Sequence, residues 1–156
     1  MSKSLVEIKG FDELQRKLRQ LPDKVKRKEL LKIMGQVANP TVKAARATAP
    51  RSKRTHIISG KRTRKVIEPG NLRKSIGKIR GRRGLAKVNA VIYVGPRSKG
   101  RKNDGWYGMF VDDGTKKQKA QHFMERAYNQ TKGQVTADAE VKVARYVQKQ
   151  IDRLSK

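Results

Sequence analysis

Between Arg51 and Arg83 the chain carries thirteen lysines and arginines against a single acid, Glu68. Like charge at that density repels itself, and a segment without an apolar period has nothing to bury in return. Residues 51–70 within it show no convincing period, so the basic excess is expected to be concentrated in loops and exposed strands. The imbalance extends to the whole molecule, with 40 basic and 13 acidic residues and a formal net charge of +27. It is uneven: from Val111 to Lys156 ten basic residues face six acidic ones, an ordinary mixture for a folded surface. At 156 residues, 35% of them apolar, the chain suffices for one domain with a core. The charge predicts an acidic partner, either nucleic acid or an acidic protein.

Leu5, Val6 and Ile8 read as a short strand ended by Gly10. Asp12 and Gln15 then form a capping-box pattern before a helix carrying Leu14, Leu18 and Leu21. Pro22 suits the first turn of a second helix, whose apolar stripe of Leu30, Leu31, Met34, Val37 and Ala38 has helical spacing. Asn39-Pro40 predicts a kink or break, and a small-residue helix follows over 41–49 until Pro50 stops it. Residues 51–70 read as a long exposed basic loop, or a flexible hairpin, closed by Pro69-Gly70. Two strand candidates come next. The first, 71–81, is amphipathic and interrupted by glycine; in the second, 86–96, Val88, Ala90, Ile92 and Val94 alternate on one face. Residues 97–105 form a second basic loop. Val135, Ala139, Val143, Val147, Ile151 and Leu154 recur every three or four positions, so 121–154 predicts one long helix or two, with Gly133 as the weak point. The fold class is α+β. A small antiparallel sheet packs against an N-terminal kinked helix pair and a long C-terminal helix, in a single domain over 1–156 with the exposed basic loop at about 51–69.

Little of this suggests catalysis. The absence of cysteine excludes disulfides, thiolate zinc ligands and a cysteine nucleophile, and the two histidines, His56 and His122, are far apart. No apolar run nears the roughly 20 residues that cross a bilayer, and the opening MSKSLVEIKG lacks a signal-peptide core. A cytoplasmic origin and no membrane role are expected. A metal nuclease would suit the charge, yet Glu7/Lys9 lacks a preceding acid and Glu140/Lys142 sits on an amphipathic helix. Adjacent Asp112 and Asp113 diverge on any regular element, so they do not converge on one ion. Ser59-Gly60-Lys61 misses the phosphate-binding loop twice, with Thr55 where glycine is required and Arg62 where Ser or Thr is required. His122 has no nearby serine or cysteine nucleophile in sequence. No enzyme, cofactor or metal is expected.

Binding is better supported. Arg51, Lys53, Arg54, Lys61, Arg62, Arg64, Lys65, Arg82 and Arg83, continued by Arg97, Lys99, Arg101 and Lys102, are candidates for contact with a partner or with DNA. Between residues 51 and 83 no aromatic side chain is interleaved except His56, so nucleic-acid contacts from that segment would be backbone-only and non-specific. A loop pressed against an acidic protein is the equal alternative. Trp106, Tyr107, Phe110 and Val111 lead into Asp112-Asp113-Gly114-Thr115. These read as an apolar turn or short helix closed by a left-handed glycine, a structural corner rather than a catalytic pair.

Four segments, taken in order, resemble a known family. They are a strand followed by Gly10-Phe11-Asp12-Glu13-Leu14, a helix ending in Ala49-Pro50, the step Gly70-Asn71-Leu72-Arg73-Lys74-Ser75-Ile76, and the block Tyr107 to Thr115 with Ala120-Gln121-His122-Phe123-Met124-Glu125-Arg126-Ala127. Together, from about residue 5 to 154, they resemble the lambdoid-phage tail-component family, the gene-product-ten-like head–tail joining proteins of long-tailed phages. Asp112 stands where that family usually has Glu, and His122 where proline is common; the stretch 51–69 is longer than the family's usual loop. The resemblance implies a structural virion protein without catalysis, made in the host bacterial cytoplasm and placed at the neck or upper tail. It also implies a ring, commonly six-fold, that contacts connector or head-closure proteins and the tail tube or tail terminator, with non-specific contact to the packaged DNA as a further expectation. Trp106, Tyr107, Phe110, Asp112, Asp113, Gly114, Thr115 and Phe123 would then form a corner or subunit interface.

Overall fold

Pro22 has no N–H to lose, and directly after it helix α1 runs over Asp23–Val37 in the computed structural model, which describes residues 23–59, 64–84, 90–98 and 103–154. The strand and helix expected before Pro22 lie outside the described residues, as do 85–89 of the second strand candidate. Leu31 and Val37 of α1 are buried. At Ala38 the chain turns, and α2 resumes over Asn39–Thr48 with Pro40 in its first turn. Proline's ring clashes with the carbonyl four residues back, which produces the kink expected at Asn39-Pro40. Lys78 secures that break from outside: its Nζ donates to the Gly35 carbonyl at 2.8 Å and to Asn39 Oδ1 at 2.9 Å.

The small side chains of α2 let a partner helix come close. That partner is α5, Phe123–Leu154, a single 32-residue helix about 48 Å long at 1.5 Å per residue. Gly133 does not divide it. Ala45 and Ala49 pack with Phe123 and Ala127, all four fully buried, and Thr41 Oγ1 meets Thr131 Oγ1 at 3.0 Å across the seam. Thr48 Oγ1 donates to the Phe123 carbonyl at 2.9 Å, joining the end of α2 to the start of α5. Further along α5, Gln150 is 3% exposed and donates to Glu29 Oε2 of α1 at 3.3 Å. The kinked pair therefore lies along one long helix.

The β-structure is two antiparallel ribbons. Strands β1 (His56–Ser59) and β2 (Arg64–Ile67) pair with His56 opposite Ile67, so the basic stretch after Pro50 is a hairpin rather than a plain loop. Strands β3 (Ile76–Arg80) and β4 (Ile92–Pro96) pair with Ile79 opposite Tyr93. The first half of the strand expected over 71–81 is instead a helical turn, α3, Asn71–Ser75. The reason lies in its burial pattern: Leu72, Ser75 and Ile76 are all buried, at spacings of three and one that suit a helix. Only from Ile76 onward does the chain extend. Leu72 and Ile76 complete the core with Ala45, Ala49, Phe123 and Ala127. The last short helix, α4 (Gly108–Asp113), closes at Gly114 with φ 81° and ψ 179°, an extended positive-φ conformation open essentially to glycine alone rather than the left-handed helical one expected.

Candidate functional site

Two surfaces gather the residues singled out by the sequence. The first is the corner around α4. Asp112 is its hinge: its carbonyl accepts from the amides of Gln121 and His122, while its Oδ1 accepts from the Met124 N–H at 3.1 Å. The carboxylate thus satisfies an otherwise unpaired donor in the first turn of α5 and sits favourably at the positive end of its dipole. Asp113 is exposed. Thr115 Oγ1 accepts from the Lys117 N–H, within a tight turn bridged to Gln118. At Gly114 an added Cβ would lie 2.7 Å from the Ala120 nitrogen, so the corner has no room for a side chain there.

Aromatic rings build the outer side of the corner. Trp106 meets Tyr107 edge-on at 5.9 Å between centroids and Phe110 at 6.2 Å. Tyr107 turns inward: its hydroxyl oxygen accepts from Asn71 Nδ2 at 3.0 Å, and the same amide donates to the Asp104 carbonyl at 2.8 Å. Burial raises the Tyr107 phenol above its ordinary value of 10.0; the Asn71 hydrogen bond opposes this and the Asp104 charge adds to it. Trp106 and Phe110 face outward with Met109, the most exposed of the three at 62%. At positions i, i+3 and i+4 they share one face, an aromatic and methionine patch of the composition that protein interfaces favour. Behind it, Val94, Pro96, Trp106, Met109 and Met124 line a recess of about 370 Å³. Phe123, by contrast, is wholly core.

The second surface is the basic rim. Arg51, Lys53, Arg54, Arg64, Arg82 and Arg83 are exposed. Lys61, Arg62, Lys99, Arg101 and Lys102 lie outside the described residues. Lys65 is also exposed but pairs with Asp104 at 3.2 Å, tying the first hairpin to the corner. Arg97 is not a free cation: its Nε donates to the Ser75 carbonyl at 3.0 Å, and its guanidinium covers Gly77. Other cations of the basic stretch also serve the fold. Arg73 donates to the Ala49 carbonyl at 2.7 Å, at the end of α2, and Lys78 holds the end of α1. Cations at helix C-termini are placed where the dipole favours them.

Sequence reasoning missed Asn71, Asp104 and Met109, which support or extend the corner. It also missed Tyr93, which belongs to the other side of the basic rim. The signals were faint: a polar residue after Gly70, and an acid alone in a basic loop. Among the described residues no three metal-ligating side chains come together, and no described helix is long and apolar enough to cross a membrane.

Residues 12–114 match the model of the family described as "Bacteriophage HK97-gp10, putative tail-component". The matched span takes in the kinked helix pair, both ribbons and the corner as far as Gly114. No curated protein and no solved structure matches the chain.

Proposed function

The chain belongs to the HK97-gp10-like family of phage tail components, and on that premise we propose that it is a neck or tail-completion protein that joins the filled head to the tail. The role is structural rather than catalytic. Copies assemble as a closed ring, with six-fold symmetry, in the neck or upper tail of the virion. Its neighbours are connector or head-closure proteins on one side and the tail tube or tail terminator on the other.

The family match carries this reading, and the distribution of exposed apolar groups supports it. A ring contact is heterologous, so each subunit needs two unlike patches. One is the face of Trp106, Met109 and Phe110. The other is the β1–β2 ribbon, where Ile57 and Val66 stand opposite each other and are 53% and 58% exposed. A two-stranded ribbon with a bare apolar pair is marginal in water and gains from a neighbour.

The test is electron microscopy of lysates from the phage carrying a nonsense mutation in this gene. Filled heads beside separate or malformed tails are expected. Normal particles in normal numbers would refute the joining role and leave the second reading, a basic protein that binds nucleic acid non-specifically. Exposed Arg82 and Arg83 favour that second reading.

A further inference from the structure

The register of the β3–β4 ribbon brings an aromatic ring to the cations that the sequence alone shows without one. Tyr93 on β4 stands directly opposite Ile79 on β3; the two are 53% and 38% exposed. The chain leaves β3 through Arg80, Gly81, Arg82 and Arg83. All of these line one open cleft of about 900 Å³, whose walls, among the described residues, contain five cations and no acid. Two of the five are committed: Lys78 to the end of α1, and Arg97 to the carbonyls of Ser75 and Lys74. Arg80, Arg82 and Arg83 are exposed, and their side chains have no hydrogen bond or ion pair among the described residues. The cleft therefore presents fixed positive charge, free guanidinium groups and one bare aromatic ring.

We propose that this cleft binds single-stranded nucleic acid, with Tyr93 as the stacking platform and Arg80, Arg82 and Arg83 as phosphate contacts. Charge complementarity selects the ligand class, since unpaired guanidinium groups without a local acid call for repeated anions. The exposed ring selects the strand state. Bases in a duplex are stacked on each other and withhold their faces, whereas a single strand can lay a base on the Tyr93 ring beside the phosphates it carries. The result extends the contact beyond backbone charge, and it does not depend on ring assembly.

Fluorescence anisotropy on the full chain tests this, with a labelled oligothymidylate and a labelled duplex of equal length as probes. Tyr93→Ala is expected to weaken oligothymidylate binding about tenfold and leave the duplex unchanged, with Tyr93→Phe retaining the affinity. Replacing Arg80, Arg82 and Arg83 together with alanine is expected to reduce the slope of log affinity against log salt by about 2 for the single strand. Circular dichroism verifies that each variant is folded. An unchanged oligothymidylate affinity in Tyr93→Ala, or an equal loss for the duplex, overturns the stacking site. Neither result bears on the joining role, which is read from virions.

Discussion

Asp112 Oδ1 accepts the Met124 N–H at 3.1 Å, so the carboxylate that ends one helix begins the next. The contact spans the turn from Gly114 to His122 and fixes the direction in which α5 leaves the corner. Because Phe123 and Ala127 belong to the first turns of α5, that direction decides how the core closes on α2. The two adjacent acids are thus unequal: Asp112 is half-buried and bonded, and Asp113 is exposed.

This inequality predicts different costs. Asp112→Ala removes the cap and is expected to destabilise the fold by about 1 kcal/mol, lowering Tm by about 3 °C. Asp112→Asn keeps an acceptor and loses less. Asp113→Ala is expected to stay within about 0.5 kcal/mol of the parent. Urea denaturation of the three variants checks the order, and equal costs at 112 and 113 would sink it.

Two glycines in the same region of sequence make opposite predictions. Gly114 has φ 81° and would place a Cβ 2.7 Å from backbone, so Gly114→Ala is expected to cost more than about 1 kcal/mol. Gly133 lies in α5 with nothing within 4 Å of its would-be Cβ, so Gly133→Ala is expected to stabilise by about 0.5–1 kcal/mol. Thermal unfolding followed at the helical band measures both.

Gly133 also shows where a sequence is legible and where it is not. Its propensity cost of about 1 kcal/mol is real, but thirty-two residues packed along α1 and α2 outweigh it. The kink at Pro40 and the need for glycine at 114 were readable because each follows from a backbone rule that packing cannot easily override. The helical turn at 71–75 was not, because the glycine-interrupted pattern resembles a strand until the burial of Leu72 and Ser75 is known. Nor does a run of cations reveal which members serve the fold. Arg73, Lys78 and Arg97 meet carbonyls contributed by distant or irregular backbone. Tyr93 joins Arg80 and Arg82 only through strand register, which no local pattern specifies.

His122 predicts that a family-like substitution is harmful in this chain. Its φ of 45° lies in the left-handed region, and its N–H donates to the Asp112 carbonyl at 3.0 Å. Proline fixes φ near −65° and has no donor. His122→Pro is therefore expected to cost about 3 kcal/mol or more, whereas His122→Gly is expected to be neutral or slightly stabilising. Chemical denaturation separates the two, and a proline variant as stable as the parent would show that the corner accepts φ near −65° at position 122 without loss.

Tyr107 gives the fold a dependence on alkaline pH whose sign can be worked out. Burial, aided by Asp104, raises its phenol above 10.0, and Asn71 only partly offsets this. The unfolded chain therefore gives up the phenolic proton before the folded one does. The stability that Tyr107 contributes is fully present below pH 10.0 and is lost as pH rises through the higher folded value. Tyr146 is also raised, chiefly by burial, so it adds a second loss of the same sign. Tyr107→Phe removes one titrating group and the acceptor for Asn71. It is expected to cost about 1 kcal/mol at neutral pH, where the amide keeps its bond to the Asp104 carbonyl. Above pH 10.0 the gap between variant and parent is expected to narrow, because only the parent still has the Tyr107 contribution to lose. Urea midpoints taken across that range measure the gap, and a gap that widens with pH would show that the phenolate is tolerated in the fold.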